Sequence, residues 1–255
     1  MAVERLVPGG EAWNQLIGEH KSRYLFAGRY VQGRRVLDAG CGVGYGTRML
    51  VQAGASQVIA VDISEEALAI ARQNFSDERV SFAKDDCQTL TGTEGPFDVA
   101  VAFESLEHVA DATAFVRRVS ELLARSGMFI VSTPNKLVSP QHNGRPLNPF
   151  HVREFAPHEF QDLLSRHFSK VVMMGQRWTA ALAGLYRIGF PAWSNPMMRI
   201  GRWLQRLRGR NTDYPLHPAA ILPTEADFVI TDLDPASAPT LIAVCSAPLQ
   251  PRNGA

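Results

Sequence analysis

The sequence is poor in cysteine, in net charge and in long apolar stretches, and each shortage excludes a class of protein. Only three cysteines occur among 255 residues, so neither a disulfide framework nor a paired-cysteine zinc site is expected. The formal net charge is +1, which argues against a nucleic-acid-binding protein that works through bulk charge. No stretch approaches the roughly 18 apolar residues that span a bilayer, and residues 1–10 lack an apolar signal core. We therefore expect a cytoplasmic protein.

The composition fits one folded domain. Hydrophobic residues make up 45% of the chain and charged residues 20%, a balance that allows a sizeable core. The length suits one large α/β domain and is too short for two ordinary domains plus a linker. We predict a single domain over residues 1–255, and the sequence predicts no particular oligomeric state.

Short apolar runs alternate with helical patterns along most of the chain. A helix with one apolar face is predicted over about residues 11–31, and others over 64–75 and 112–124. Strands that alternate with helices predict a buried parallel sheet with ligands at the carboxyl ends of its strands. Two later strands, 171–174 and 241–245, are predicted to pair as an edge hairpin. The earlier predicted strands are 35–39, 58–62, 80–83, 97–103 and 128–132.

Basic charge is concentrated in residues 178–210. This segment contains six arginines and no Asp, Glu or Lys, which leaves 20 basic and 25 acidic residues in the rest of the chain. Pro191 and Pro196 exclude one continuous straight helix. We predict an insertion over about 178–222. It is open whether this insertion is a lid that binds an acidic acceptor, a packed helix with a solvated cationic face, or a peripheral contact with an anionic membrane.

The strongest local motif follows the first predicted strand. That strand ends at Asp38, and Gly40, Gly42, Gly44 and Gly46 crowd the turn into the next helix. Glycines allow the backbone to approach a ligand closely and to adopt positive φ angles. A carboxylate before the first glycine would repel a pyrophosphate, but it suits a cationic ligand that carries an amine. The turn therefore indicates a site for such a ligand.

This D-x-G-C-G-x-G pattern resembles motif I of the class I S-adenosylmethionine (SAM) methyltransferases. The resemblance implies an α/β, Rossmann-like fold with a seven-stranded, mostly parallel sheet, an antiparallel edge strand and helices on both faces. It also implies SAM as the cofactor. Asp62 would accept hydrogen bonds from both ribose hydroxyls, and Asp86, or less favourably Asp85, would contact the adenine amine. For each acid the alternative is a helix cap or a solvated loop residue.

The resemblance extends to the N-terminal helix, which is similar to the helix that covers the cofactor in related bacterial enzymes. It adds two candidate contacts, for which the alternative roles are an exposed arginine and a core tyrosine. The predicted cofactor contacts are Arg23, Tyr24, Asp38, Gly40, Cys41, Gly42, Asp62, Ile63, Asp86, Cys87 and Phe103.

An acidic and imidazole cluster follows the fourth predicted strand. Glu104, Glu107 and His108 have the spacing i, i+3, i+4, which places side chains on one face of a helical turn. Two carboxylates and one imidazole suit a divalent ion such as Mg²⁺ or Mn²⁺. This E-x-x-E-H pattern resembles that of the metal-binding methyltransferases that modify ubiquinone catechols and the 2′-hydroxyl of small RNAs.

The RNA enzymes have a further histidine ligand in a segment H-x-x-E-(aromatic)-x-x-x-E-F, and His151 has that position in residues 150–160. The resemblance implies a metal site at Glu104, Glu107, His108 and His151. The alternative is that His108 is a buried structural histidine and His151 caps a loop. His108, His151 and the loop residue His142 are also the candidate catalytic bases.

The acceptor is predicted from a narrower resemblance. Segments 132–136, 148–155 and 175–177 are similar to bacterial methyltransferases linked to surface-glycan and polysaccharide assembly, which implies O-methylation of a saccharide or another small hydroxylated acceptor. A small-aromatic or quinone-type (catechol) O-methyltransferase is the alternative, and a binding protein with an inactive methyltransferase fold is a third. The intact Asp38 and Asp62 argue against the third. An RNA acceptor is disfavoured because no RNA-binding domain or broad basic face is apparent, and no specific nucleic acid is expected as a partner.

Overall fold

The computed structural model describes residues 11–142, 144–179 and 224–249. Within these residues the chain forms five α-helices and ten strands. The α-helices are α1 Glu11–Gly28, α2 Tyr45–Gln52, α3 Glu65–Phe75, α4 Ala112–Leu122 and α5 Pro157–Ser165. The strands are β1 Arg35–Ala39, β2 Gln57–Asp62, β3 Val80–Lys84, β4 Phe97–Phe103, β5 Leu123–Pro134, β6 Gln141–His142, β7 Arg145–Pro146, β8 Phe168–Trp178, β9 Phe228–Thr231 and β10 Thr240–Pro248.

Eight of these strands form one sheet in the order β3-β2-β1-β4-β5-β10-β8-β9. The first five are parallel, β10 is antiparallel to both β5 and β8, and β9 is antiparallel to β8. The predicted Rossmann-like class with a mostly parallel sheet is confirmed. The described sheet has one strand more than predicted, because β9 pairs with the end of β8. The predicted pairing of β8 with β10 exists, but β9 takes the edge and leaves that pair inside the sheet.

Helices cover both faces of the sheet, and side chains that alternate along the strands divide the core into two layers. On one face Leu50 of α2 and Leu68 of α3 pack with Tyr24 of α1 against strand residues. On the other face Phe115 of α4 and Phe160 of α5 pack against the opposite side of the same strands. Successive strand residues point to opposite faces, so each central strand is apolar on both sides.

The start of α3 and the end of α1 can be compared with the boundaries expected from the sequence. The Ser64 hydroxyl accepts a hydrogen bond from the amide of Ala67 at 3.2 Å and caps α3, as its position in the sequence indicates. Helix α1 ends at Gly28, three residues before the predicted boundary of about residue 31. No helix within the described ranges combines the length and the apolar character that crossing a membrane requires.

The basic insertion leaves the sheet at β8 and returns at β9. The amide of Thr179 donates to the carbonyl of Asp227 at 2.8 Å, so both ends of the insertion lie at the outer edge of the sheet. Residues 180–223 lie outside the described residues. The predictions of a lid, a packed helix or a membrane contact for segment 178–222 therefore stay predictions.

Helix α1 packs directly on the glycine turn, which generates a stability prediction. A Cβ atom at Gly46 would overlap the buried ring of Tyr24. Gly46→Ala should therefore displace Tyr24 and lower the free energy of unfolding by about 1–3 kcal/mol, measured by urea denaturation. Gly92→Ala is the matched control, because its Cβ would meet nothing closer than 3.5 Å. Equal stabilities for the two variants would show that α1 does not pack on this turn.

Candidate methyl-transfer site

Asp38 joins three elements at the start of the glycine turn. It lies near the end of β1 and is fully buried. The Tyr24 hydroxyl on α1 donates to its Oδ1 at 3.1 Å, and the Thr47 hydroxyl on α2 donates to its Oδ2 at 2.6 Å. Burial raises the pKa of Asp38 to about 6 despite these two hydrogen bonds. Both carboxylate oxygens thus hold the helices that surround the turn, and direct contact of Asp38 with the cofactor stays a prediction.

Asp62 connects the same turn to the end of β2. Its Oδ2 accepts from the amide of Gly42 and its Oδ1 from the amide of Ser64, each at 2.9 Å. Gly40 has φ +83° and lies so close to Ser105 that a Cβ would overlap its hydroxyl, so glycine is required there. Cys41 is buried, and burial raises the pKa of its thiol, which argues against a nucleophilic role; its contact with the cofactor stays a prediction.

The two acidic residues that follow β3, Asp85 and Asp86, differ in their exposure to solvent. Asp85 is buried and accepts hydrogen bonds from the amide of Gly92 at 3.0 Å and the hydroxyl of Thr93 at 2.7 Å, so it holds a loop. Asp86 is exposed at the same edge. Of the two candidates for the adenine contact, Asp86 is therefore the accessible one.

The other predicted cofactor residues surround this edge. Ile63 follows β2 and is 60% exposed, whereas Cys87 is partly buried and burial raises the pKa of its thiol. Phe103 ends β4, and its ring meets the Tyr24 ring edge to face with 4.9 Å between centroids. The predicted contacts thus come from α1 and from the carboxyl ends of β1 to β4, where parallel sheets bind ligands.

Three of the four predicted metal ligands come together. Glu107, His108 and His151 each offer one ligand atom, and these atoms lie within 4.8 Å of one another. The Nδ1 of His108 donates to the carbonyl of Phe150 at 3.1 Å, and the Nδ1 of His151 donates to the Glu154 carboxylate at 2.7 Å. Histidines that ligate metals in proteins commonly have their second ring nitrogen held by a carbonyl or a carboxylate in this way.

Glu107 supplies the observation that tests whether a cation fits. Its side chain is fully buried, and the Thr133 hydroxyl donates to its Oε2 at 3.1 Å. Its Oε1 has no hydrogen-bond partner among the described residues and lies 3.9 Å from the Nε2 of His108. Burial, and then the negative charge of Glu104, raise the pKa of Glu107 well above its ordinary value. A buried oxygen in this situation fits a divalent cation, which would compensate both effects.

Glu104 does not share a face with Glu107 and His108, which corrects the helical argument. The helix here is a short 3-10 turn, Leu106–His108, and Glu104 precedes it with φ +51°. Its carboxylate accepts from the Ser132 hydroxyl at 2.7 Å and lies 3.6 Å from the Nη1 of Arg23. His142, the other outlying candidate, is exposed on β6 opposite Arg145 of β7 and is not part of the three-residue group.

Two functional residues were not predicted from the sequence. Glu154, which holds His151, lies three positions after it in the H-x-x-E segment, so this spacing was an available signal. Gln176 accepts a hydrogen bond from the Nη1 of Arg23 at 2.7 Å although 153 positions separate the two residues. No local pattern signals a pair that far apart in the chain.

A cavity of about 440 Å³ opens beside His151. It lies next to the three-residue group and combines apolar and polar walls, which makes it the candidate acceptor pocket. Its lining residues are Pro134, Ser139, Pro140, Leu147, Asn148, His151 and Glu154.

Comparison with known proteins decides the class of the domain. Residues 36–127, which include the glycine turn and the Glu107–His108 pair, match the family model described as a methyltransferase domain. Residues 36–127 therefore have the sequence of a class I SAM-dependent methyltransferase domain. SAM is the cofactor of enzymes that carry such a domain, so the match supports the expected class of enzyme.

Relatives and solved structures agree with the methyltransferase domain. A Mycobacterium tuberculosis protein named as a SAM-dependent methyltransferase is 36% identical over 173 residues, which cover 68% of this chain and 62% of that protein. A ubiquinone biosynthesis O-methyltransferase of Azorhizobium caulinodans is 38% identical over 47% of this chain and 46% of its own. The chain thus spans less than two thirds of the length of these relatives. The crystal structure of a SAM-dependent methyltransferase from Mesorhizobium loti has the same fold, with TM-score 0.55, 19% identity and coverage of 88% and 97%.

Asp38 generates a pH prediction. Its pKa is about 6 in the folded protein and about 4 in an unfolded chain. Between these values the folded protein binds more protons, so the free energy of unfolding falls as the pH rises. From pH 5 to pH 7 this residue should lower that free energy by about 1 kcal/mol. Urea denaturation should show that the free energy of unfolding of Asp38→Asn declines less over this pH range, by the same amount. If the two proteins lost the same free energy between pH 5 and pH 7, the raised pKa of Asp38 would be contradicted.

Asp62 generates a cofactor prediction. If its carboxylate accepts from both ribose hydroxyls, Asp62→Ala loses two charge-assisted hydrogen bonds, or about 2–3 kcal/mol. Calorimetry should then show SAM affinity weaker by about 30- to 150-fold. Asp77→Ala is the control, because Asp77 pairs with Arg79 on the loop after α3, away from the site. Circular dichroism checks that the variant folds, and unchanged SAM affinity in folded Asp62→Ala would remove Asp62 from the site.

Proposed function

We propose that the protein is a SAM-dependent O-methyltransferase that methylates a hydroxyl of a saccharide with the help of a divalent metal ion. The observation that carries the proposal is the group Glu107, His108 and His151, with a buried, unpartnered oxygen on Glu107. This group lies beyond β4, at the same edge of the sheet as the candidate cofactor residues. A methyl donor and a cation bound there would be neighbours.

Some residues at the site would hold the cation, and others orient the side chains that hold it. When bound, the cofactor supplies an electrophilic methyl group, and the cation supplies a Lewis acid that lowers the pKa of a chelated hydroxyl. Glu107, His108 and His151 would hold the cation. Glu154 keeps the proton on the Nδ1 of His151 and so directs the lone pair of that ring to Nε2. The amide of Asn148 donates to this Nε2 at 3.0 Å and would have to turn away to admit a cation.

Positioning supplies the remaining part of the catalysis. Methyl transfer is an in-line displacement, so a rigid arrangement of the reacting groups contributes much of the rate. The amide of Val152 donates to the Glu107 carbonyl at 2.8 Å, which fixes the loop that carries His151 to the turn that carries His108. The two segments that supply the residues of the group are therefore tied to each other.

The walls of the cavity support a saccharide acceptor. Ser139 and Asn148 offer hydrogen bonds to sugar hydroxyls, while Pro140 and Leu147 offer apolar surface to the C–H face of a sugar ring. Saccharides carry adjacent hydroxyls, and two such oxygens can together chelate a divalent cation. The resemblance to glycan-associated bacterial methyltransferases supports the same acceptor.

A catechol or quinone-type acceptor is the second candidate, and a specific observation favours it. Five large apolar side chains in residues 137–152, the segment that supplies most of the cavity lining, are exposed by 41–66%, namely those of Leu137, Val138, Leu147, Phe150 and Val152. An aromatic ring, which also carries adjacent hydroxyls, would cover such surface. The relative from Azorhizobium caulinodans, named for ubiquinone biosynthesis, supports this alternative. Turnover of SAM against matched panels of sugars, nucleotide-sugars and catechols separates the two acceptors.

The metal prediction is tested with the acceptor that turns over. Removal of divalent cations by a chelator should abolish turnover, weaken SAM binding by about tenfold at most, and be reversed by Mg²⁺ or Mn²⁺. His151→Ala should weaken metal affinity by about 10- to 100-fold or more, since loss of even a supporting group costs that much. His158→Ala, exposed on α5, is the matched control. Full turnover in chelator would exclude the metal, and the His151–Glu154 pair would then be assigned as an unaided general base.

A further inference from the structure

Arg23 is a buried cation with unused hydrogen-bonding capacity. Its side chain is 1% exposed, and its Nη1 is shared among Gln176 at 2.7 Å, Glu19 at 3.3 Å and Glu104 at 3.6 Å. Its Nε has no hydrogen-bond partner among the described residues. A guanidinium offers five N–H donors and binds carboxylates in a two-pronged manner. The Nε–H of Arg23 can therefore donate to another carboxylate while α1 stays where it is.

The surroundings of Arg23 hold it in place. Gln176 of β8 donates through its Nε2 to the Glu19 carbonyl at 2.8 Å and to the Ser22 hydroxyl, so it fastens α1 to the sheet. The hydroxyl of Thr240 on β10 donates to the Glu19 carboxylate at 3.0 Å. Burial lowers the pKa of Arg23, but the charges of Glu104 and Glu19 raise it more, so the group stays charged. Because these contacts fix the position of Arg23, a ligand would bind the guanidinium where it now lies.

Glu104 is held away from the metal-ligand group by the same contacts. The Oε1 of Glu104 accepts from Ser132 and faces Arg23, and its backbone has the left-handed φ of +51°. Such a conformation is strained in a residue other than glycine and persists only where the surroundings impose it. Glu104 is thus paired with Arg23, whereas Glu107 belongs to the candidate metal group.

We infer that Arg23 and a divalent metal ion compete for Glu104, and that the carboxylate of the bound cofactor releases Glu104 to the metal. The inference rests on the proposed function. The amino-acid end of SAM carries a carboxylate, which would occupy the unused donors of Arg23 and weaken its hold on Glu104. Glu104 would then turn to complete the ligand set of Glu107, His108 and His151. Cofactor and metal would therefore bind cooperatively, each increasing the affinity for the other by the same factor.

The test measures Mn²⁺ affinity without catalysis. The Kd for Mn²⁺ is measured by electron paramagnetic resonance of the free ion, alone and with saturating S-adenosylhomocysteine or 5′-methylthioadenosine. S-adenosylhomocysteine keeps the carboxylate and should lower the Kd for Mn²⁺ by about tenfold, within the usual range of such coupling. Methylthioadenosine lacks the carboxylate and should leave the Kd unchanged. Equal effects of the two nucleosides in the wild-type protein would overturn the inference without any variant.

Variants identify the competing residue. Arg23→Met should bind Mn²⁺ tightly in the absence of nucleoside and show no further gain with S-adenosylhomocysteine. Glu104→Gln should bind Mn²⁺ weakly under both conditions. Arg29→Met, which removes an exposed arginine in the turn directly after α1, should keep the tenfold coupling. Mn²⁺ binding that S-adenosylhomocysteine does not change would overturn the inference and leave the proposed function standing, whereas no Mn²⁺ binding under any condition would overturn both.

Discussion

The buried carboxylate of Asp38 is the interaction on which the site depends. Its two oxygens hold a hydroxyl from α1 and a hydroxyl from α2, so the covering helix and the helix after the glycine turn are fastened to the central strand at one point. Burial disfavours the charged form, as the raised pKa of Asp38 shows. The two hydrogen bonds offset part of this cost. The position of Tyr24, and through it the position of α1, follows from this arrangement.

Helix α1 transmits that constraint to the residues of the candidate site. Asp38 fixes Tyr24, and the preceding residue Arg23 therefore lies inside the protein. There its guanidinium donates a hydrogen bond to Gln176 and pairs with the carboxylate of Glu104. Gln176 belongs to β8, at the opposite end of the sheet from β2 and β3. Helix α1 therefore bridges the half of the sheet that carries the candidate cofactor residues and the half from which the insertion emerges.

Local patterns predicted the fold and much of the candidate site. Motif I is a contiguous run of residues with a conformational reason for each glycine, so Asp38, Gly40 and Gly42 were found where the structure has them. Alternating strands and helices predicted the parallel half of the sheet in the same way. The short strand β9 was missed, because four residues that pair only with the end of β8 carry too little pattern. Gln176 was missed because its partners are far away in the chain.

Glu104 shows where spacing stops being informative. The i, i+3, i+4 rule assumes a helical backbone at every position, but here the helix begins only at Leu106. The left-handed φ of Glu104 turns its side chain toward Arg23 and Ser132 instead of toward His108. The sequence shows that the carboxylates of Glu104 and Glu107 are three residues apart. It does not show which of the two will form an ion pair with an arginine that is distant in the chain. In this domain the contact between α1 and the end of β4 makes that choice, so the composition of the candidate metal group depends on α1.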